Sequence, residues 1–131
     1  MAKLTHITYK TSTPRTMKRF ARLAIEYNLF QEGWAFRGWL NGVEKGYDTS
    51  SVLVLAFDGN FPVGLSILKY YGHVGFYVNP HYRRMGIATK LAEIQRSCAI
   101  ERLYDFYAGQ GTPGSDKFFE WVDIPVDQEL T

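Results

Sequence analysis

The stretch between residues 74 and 108 most constrains how this chain can fold. An apolar run that ends at Val78 predicts a buried strand. After it, apolar residues at helical spacing predict an amphipathic helix with the stripe Ile87, Leu91, Ile94 and Cys98. A second apolar run at residues 104–108 predicts another strand. Strand, helix and strand in this order favour one parallel crossover, which needs a sheet to lie against.

Two further strands are predicted just before this unit. Residues 52–57 form an apolar run too short for a comfortable helix, so we expect a strand buried on both faces. An Asp-Gly-Asn turn leads into a strand over about residues 62–71, and a turn at Gly72 or His73 leads into residues 74–78. Three consecutive antiparallel strands and the crossover predict an α/β fold of the α+β type, with a mixed, mainly antiparallel sheet flanked by helices.

The amino-terminal part of the chain predicts a strand, a basic helix and an aromatic connection. Weak alternation of polar and apolar residues predicts the strand at residues 3–10. Ser12 or Thr13 is expected to cap the helix that follows, with Pro14 in its first turn. Residues 28–48 mix glycines with aromatic rings, so any helix there is expected to be short or irregular. Long connections rich in rings often carry binding residues.

Composition bounds the kind of protein. A length of 131 residues fits one domain, which we expect to span residues 1–131, and 46% hydrophobic with 21% charged residues are typical of a folded chain. The formal net charge of +2 is too small to favour a nucleic-acid partner. The single cysteine, Cys98, cannot form an internal disulfide, and no apolar run approaches the roughly 20 residues of a membrane span. We therefore expect a cytoplasmic protein with neither a membrane segment nor a metal site.

The segment 78–91, V-N-P-H-Y-R-R-M-G-I-A-T-K-L, combines the features of an anion site. A helix start exposes unpaired backbone N–H groups and the positive end of the helix dipole. Gly86 and Ala88 would leave room for a phosphate to approach the main chain, and Arg83 and Arg84 would add positive charge at the rim. The same residues also fit an ordinary helix start with two solvated arginines. Their position between two predicted strands favours the anion site.

This segment resembles the signature of the GNAT superfamily, the acetyl-CoA-dependent N-acetyltransferases, which reads V-x-P-x-[YF]-R-[RG]-x-G-[IV]-[GA]. The matching positions are Val78, Pro80, Tyr82, Arg83, Arg84, Gly86, Ile87 and Ala88. The order of elements over residues 3–124 is similar as well, and residues 115–124 resemble the late helical motif of the family. The resemblance implies a compact acetyltransferase domain that uses acetyl-CoA. Because ten residues follow Trp121, we expect the last hairpin of such a sheet to be reduced or missing.

The resemblance also implies where acetyl-CoA binds. The backbone from Arg84 to Thr89 would hold the pyrophosphate, the strand end at residues 76–78 would bond to the pantetheine arm, and the fourth and fifth strands would splay apart to admit the thioester. The expected cofactor contacts are Phe76, Tyr77, Val78, Arg83, Arg84, Met85, Gly86, Ile87, Ala88, Thr89 and Ser115. For Ser115, capping of its own helix is the stronger interpretation.

Direct acetyl transfer needs a neutral amine, a route for its proton, a donor for the oxyanion and a proton for the departing thiolate. The resemblance implies that the Val78 N–H polarises the thioester carbonyl. Relatives often carry a Glu base on the fourth strand, and here His73 is the substitute, since imidazole titrates near neutral pH. The tyrosine that serves as acid in relatives aligns with Phe119, which cannot donate a proton. Tyr107 or Tyr82 is expected to replace it, although His73 and both tyrosines also fit purely structural roles.

Aromatic residues make up 16% of the chain, which predicts rings that line a cleft or an interface, or else rings that fill a small core. The acceptor, a primary amine, is expected between residues 30–42 and the turn at residues 70–73, with contacts from Trp34, Trp39 and Tyr71. A second copy or another protein would cover an open aromatic face. The missing Glu and Tyr also leave open a weak or inactive GNAT-fold interaction module, and the basic first helix leaves open acetylation of aminoacyl-tRNA.

Overall fold

The computed structural model describes residues 6–31, 35–109, 118–120 and 122–127. The strands are β1 (Ile7–Thr11), β2 (Val52–Asp58), β3 (Phe61–Leu68), β4 (His73–Val78), β5 (Tyr107–Gly109) and β6 (Val126–Asp127). The helices are α1 (Met17–Glu26), α2 (Ala35–Glu44) and α3 (Ile87–Arg102), with a 3-10 turn at Pro80–Tyr82. The expected contacts Trp34 and Ser115, Trp121 and the predicted strand residues 3–5 lie outside the described residues.

The described strands form a six-stranded sheet in the order β1-β2-β3-β4-β5-β6. Antiparallel pairing joins β1 to β2, β2 to β3 and β3 to β4, whereas β5 pairs in parallel with β4 and with β6. Helix α3 makes the connection from β4 to β5, so the predicted crossover and the mixed, mainly antiparallel sheet are confirmed. No helix in the described ranges is long and apolar enough to cross a bilayer.

Helices cover both faces of the sheet, and β2 is buried on both sides as predicted. Leu53 and Leu55 on β2 pack with the apolar residues of α1 and α2. Val54 and Ala56, which alternate with them, pack against α3 through Ile87 and Leu91. Alternation along a strand therefore assigns every second side chain to the α1–α2 face and the others to the α3 face.

The predicted cap of the first helix is wrong. Ser12 is buried, and its Oγ accepts a hydrogen bond from the Leu53 N–H at 2.9 Å, which fixes the end of β1 against β2. Residues 14–16 form a turn, and α1 begins at Met17 with Thr16 as a cap that makes no side-chain bond. Because the Ser12 side chain is bonded to β2, it does not cap a helix, and α1 starts about one turn later than predicted.

The expectation of a short or irregular helix between residues 28 and 48 is also wrong, because α2 is a regular helix of 10 residues. Its glycines, Gly38 and Gly42, each cost the helix about 1 kcal/mol relative to alanine. Phe36, Leu40 and Val43 on the same helix are almost fully buried, and this burial outweighs that cost. Tertiary packing therefore decides the conformation of this segment.

The turn between β3 and β4 is longer than predicted. The predicted strand at residues 62–71 ends at Leu68, because the Gly72 N–H bonds to the Lys69 oxygen at 2.8 Å and closes a turn. Gly72 has a φ of 104°, and a Cβ there would lie 2.5 Å from Asp105. Only glycine fits this place, so the turn sets where β4 begins at His73.

Candidate active site

A cavity of about 700 Å³ lies between β4, the start of α3 and α2. Its described walls include most of the residues expected to contact the cofactor: Phe76, Tyr77, Val78, Arg83, Arg84, Gly86, Ile87, Ala88 and Thr89. Trp39 and His73, expected on the acceptor and catalytic side, line the same cavity. Met85 does not line it, since its side chain packs on the core between the sheet and α3.

The cavity occupies the place where β4 and β5 stop pairing. In the described part of these strands, the register joins His73 to Tyr107 and Val74 to Ala108 and goes no further. On its other edge β4 stays paired with β3 as far as Val78. The carboxyl half of β4 thus keeps one edge bonded, and it turns the other edge toward the cavity.

The Val78 N–H points to this opened edge. The Asn79 N–H bonds to the Val63 oxygen on β3 at 2.8 Å, so Val78 directs its own N–H and C=O to the opposite side of β4. On that side the Val78 oxygen accepts a hydrogen bond from Nε of Arg83 at 2.9 Å. The Val78 N–H is therefore a backbone donor aimed at the cavity.

The start of α3 contributes further backbone donors. The first bond within the helix runs from the Lys90 N–H to the Gly86 oxygen at 3.0 Å. The N–H groups of Ile87, Ala88 and Thr89 precede this bond, and Gly86, the N-cap, has no side chain to accept from them. Together with the positive end of the helix dipole, these groups form a site for an anion.

The turn before α3 is held in shape from two sides. Arg84 and Gly86 adopt left-handed backbone, with φ values of 64° and 83°, which is unfavourable for arginine. The Tyr82 hydroxyl donates to Oδ2 of Asp58 at 2.5 Å and ties the turn to the β2–β3 hairpin. This hydrogen bond is the main cause that raises the pKa of Tyr82. Met85 anchors the turn from the other side by packing on the core.

His73 lies at the opposite end of the cavity, where β4 begins. Its Nε2 accepts a hydrogen bond from the Gly109 N–H at 3.0 Å, so in this arrangement the ring is neutral and carries its proton on Nδ1. A Cβ on Gly109 would lie 2.7 Å from Nε2, so a larger residue here would force the ring to move. The ring stacks on Tyr107 at 5.3 Å between centres and meets the Trp39 ring edge to face at 4.7 Å.

Aromatic rings from α2 and from the late helical segment complete the walls. Phe36 approaches β4 closely because Gly75 has no side chain, and a Cβ there would lie 3.0 Å from the Phe36 ring. Phe118 and Phe119 flank Phe76 at 5.6 Å and 6.2 Å between ring centres. Sequence reasoning did not assign Phe36, Phe118 or Gly109 to the site. The glycines at 75 and 109 were the available signal, since a glycine inside a strand often marks a close approach.

Tyr71 lies outside this cavity and lines a neighbouring one of about 370 Å³, together with Tyr47, Asp48 and Lys69. Trp39 lines both cavities and stands between them. Burial is the main cause that raises the pKa of Tyr71, with smaller contributions from Tyr107, Tyr70 and Asp48, so its hydroxyl stays protonated at neutral pH. The aromatic rings expected on the acceptor side thus line two neighbouring cavities that share Trp39.

Several solved structures share this fold. A ribosomal-protein-alanine N-acetyltransferase from Brucella melitensis biovar Abortus 2308 is 21% identical, with 88% of this chain and 89% of that chain covered and a TM-score of 0.59. A predicted acetyltransferase with acetyl-CoA from Clostridium acetobutylicum is 12% identical, with 94% and 92% covered and a TM-score of 0.64. An aminoglycoside N-acetyltransferase in complex with CoA is 14% identical, with 91% and 88% covered and a TM-score of 0.64. At these identities the likeness shows the fold alone.

Sequence comparison assigns the family. No match to the chain was found among curated protein sequences. The model of the acetyltransferase (GNAT) family, in contrast, matches residues 15–111, which include α1 to α3 and β2 to β5. This range also contains the cavity residues from β4 and the start of α3. The chain belongs to the GNAT acetyltransferase family.

Proposed function

We propose that this protein transfers an acetyl group from acetyl-CoA directly to a primary amine, as a single domain and without a covalent enzyme intermediate. One observation carries the proposal: the anion site at the start of α3, the Val78 N–H and His73 all face one cavity. Family membership supports acetyl-CoA as the donor. When bound, acetyl-CoA supplies the activated acetyl thioester.

The start of α3 fits the pyrophosphate of this cofactor. The N–H groups of Ile87, Ala88 and Thr89 would donate to it, and Gly86 keeps the approach open. Arg84 at the rim adds positive charge. Arg83 has a different role, because its Nε is bonded to the Val78 oxygen and holds the end of β4.

The Val78 N–H is the proposed donor to the carbonyl oxygen of the thioester. It is fixed by the β3–β4 ladder, so it needs no rearrangement when negative charge develops on that oxygen. Phe76, Phe118 and Phe119 make the surrounding wall apolar and exclude water. A backbone donor in such surroundings is worth more than the same donor in water.

His73 is the proposed acceptor of the proton that the amine loses, by way of intervening water, because it lies five residues before Val78 on the extended strand β4. The bond from the Gly109 N–H keeps Nε2 unprotonated, which is the form that a base requires, and His73 must release this bond when it takes up a proton. Tyr107, which stacks on His73 but is not among the described residues that line the cavity, is the proposed donor to the departing thiolate. Tyr82 is the second candidate: it lines the cavity, and its hydroxyl donates to Asp58, which raises its pKa.

A two-part experiment tests the proposal. Calorimetric titration with acetyl-CoA measures cofactor binding, and mass spectrometry of a cell extract incubated with the protein and acetyl-CoA detects acetylated amines. Binding together with new acetylated amines supports the proposal. Failure to bind at saturating acetyl-CoA contradicts it, and binding without any acetylated product would favour the interaction module instead.

A further inference from the structure

The smaller cavity lies on the other side of Trp39 from the proposed cofactor site. It is formed by the β3–β4 turn and the loop after α2, with Tyr47, Tyr70 and Tyr71 as its aromatic walls. Resting on the acetyl-transfer function proposed above, we propose that this cavity holds the side group of the acceptor, and that the acceptor is a monoamine whose side group is aromatic or apolar.

Charge disfavours a polycationic acceptor. Among the described residues that line the two cavities, Asp48 is the only carboxylate, whereas Arg83, Arg84 and Lys69 are cations. A polyamine or an aminoglycoside carries several ammonium groups. Each ammonium group that leaves water without pairing with an anion weakens binding, because its desolvation is not compensated. The described walls give such an acceptor at most one anion.

Asp48 is already committed to other partners. Its Oδ2 accepts from Nζ of Lys69 at 2.5 Å and from the Ser51 hydroxyl, and its Oδ1 accepts from the N–H groups of Ser50 and Ser51. The side chains of Asp48 and Lys69 are only 15% and 12% exposed. A substrate ammonium would therefore have to displace a nearly buried lysine to reach this carboxylate.

Exposed tyrosine rings stand beside the polar part of this cavity's lining, which comprises Asp48, Thr49, Ser50 and Lys69. Tyr47, Tyr70 and Tyr71 are 84%, 61% and 41% exposed, and the last two meet edge to face at 5.1 Å between centres. An aromatic or apolar group laid on these rings would remove exposed carbon from water. The phenol hydroxyls at the rim would remain hydrated.

The same rings lead to the proposed base. Tyr71 and Trp39 both contact His73, at 6.3 Å and 4.7 Å between ring centres. A side group bound on Tyr71 would therefore place an amine on a short linker near His73 at the start of β4. A monoamine needs one such position for its nitrogen, which this arrangement provides.

A panel of acceptors tests the inference. The full chain is assayed with acetyl-CoA and either phenethylamine, tryptamine, spermine or neamine, with release of free thiol and product mass as readouts. We expect kcat/KM for the aromatic monoamines to exceed that for spermine and neamine by at least about tenfold. Equal or greater efficiency with the polycations, or no acetylation of either aromatic monoamine, would overturn the inference.

Two further measurements separate the possible failures. Calorimetric titration with acetyl-CoA alone tests the proposed function, and a protein that does not bind acetyl-CoA contradicts that function. A protein that binds acetyl-CoA but acetylates spermine more efficiently than the aromatic monoamines contradicts only the aromatic acceptor. Tyr71→Ser should raise KM for phenethylamine at least about fivefold and leave acetyl-CoA affinity unchanged. Tyr27→Ser is the matched control, because Tyr27 is also 41% exposed but packs on Phe61 at the β2–β3 hairpin. Equal effects of the two substitutions would contradict the inference.

Discussion

The Gly109 N–H on β5 donates to Nε2 of His73 on β4 at 3.0 Å, next to the last paired residues of the two strands. The main chain of one strand thereby orients an imidazole on the other. Protonation of Nε2 would remove this bond, since the nitrogen could no longer accept. The protonation state of His73 is therefore linked to the hydrogen bond between Gly109 on β5 and His73 on β4.

Replacement of His73 tests its proposed role in proton transfer. His73→Ala should lower kcat at neutral pH by about 100-fold, because the amine loses its proton acceptor, while acetyl-CoA affinity changes little. Steady-state rates measured across pH, together with calorimetry, check both parts. His6→Ala is the control, since His6 is exposed and lies outside the cavity. An unchanged pH–rate profile in His73→Ala would remove His73 as the base.

Gly86 tests the anion site. Gly86→Glu should weaken acetyl-CoA binding by at least roughly 100-fold, because it puts bulk and negative charge at the start of α3. Gly59→Glu is the matched control: Gly59 also has a positive φ, of 62° against 83° for Gly86, and a Cβ on Gly59 meets nothing within 4 Å. Cofactor affinity that survives in Gly86→Glu would place the pyrophosphate elsewhere.

The two candidate acids are distinguished by removal of single hydroxyls. Tyr107→Phe should lower kcat by about tenfold or more and leave acetyl-CoA affinity nearly unchanged, since the ring still stacks on His73. Tyr82→Phe should instead weaken cofactor binding a few-fold with little change in kcat, because it frees the turn from Asp58. Stopped-flow single turnovers and calorimetry give both quantities. The reverse pattern would make Tyr82 the acid.

Asp48 gives a prediction about stability and pH. Burial opposes ionisation of Asp48, but hydrogen bonds from Lys69, Ser51 and Ser50 and the charge of Lys69 outweigh it and hold its pKa below the ordinary value of 3.8. This stabilisation is complete above that value and is lost as pH falls through the lower pKa of the folded protein. Asp48→Asn should therefore cost about 1 kcal/mol near neutral pH, and less in acid.

Urea unfolding at pH 7 and at pH 3 measures this difference. Asp123→Asn serves as control, because Asp123 is exposed and should show no comparable change in the free energy of unfolding at either pH. A stability difference between the wild-type protein and Asp48→Asn that stays constant from pH 7 to pH 3 would contradict the prediction.

The walls that β4 and the start of α3 give to the cavity could be predicted from the sequence because they come from one continuous segment. The residues from Val78 to Thr89 are contiguous, and a strand end, a glycine and a helix start together are enough to create an anion site. Met85 is the exception, since a turn sends one side chain back into the core, and spacing does not reveal which one.

The acceptor side could not be predicted in the same way, because it depends on contacts between distant segments. Phe36 reaches the cavity only because α2 forms in spite of its glycines and because Gly75 on β4 leaves space for the ring. The bond from Gly109 to His73 joins residues 36 positions apart and depends on the register of β4 and β5. Sequence patterns on one element carry no information about these pairings.

The alternation along β4 has a consequence for how acceptor preference can change. Side chains on one face of β4 point toward α2: His73, Gly75 and Tyr77. Those on the other face point toward α3: Val74, Phe76 and Val78. The register between β3 and β4 sets this division and also directs the Val78 N–H away from β3. Removing one residue from the turn at 69–72 would exchange the two sets and turn that N–H toward β3, so both substrates would lose their sites together. Side-chain replacement at position 77 keeps this register and leaves in place both the proposed base, His73, and the space that Gly75 gives to Phe36. A change in the length of the turn keeps neither.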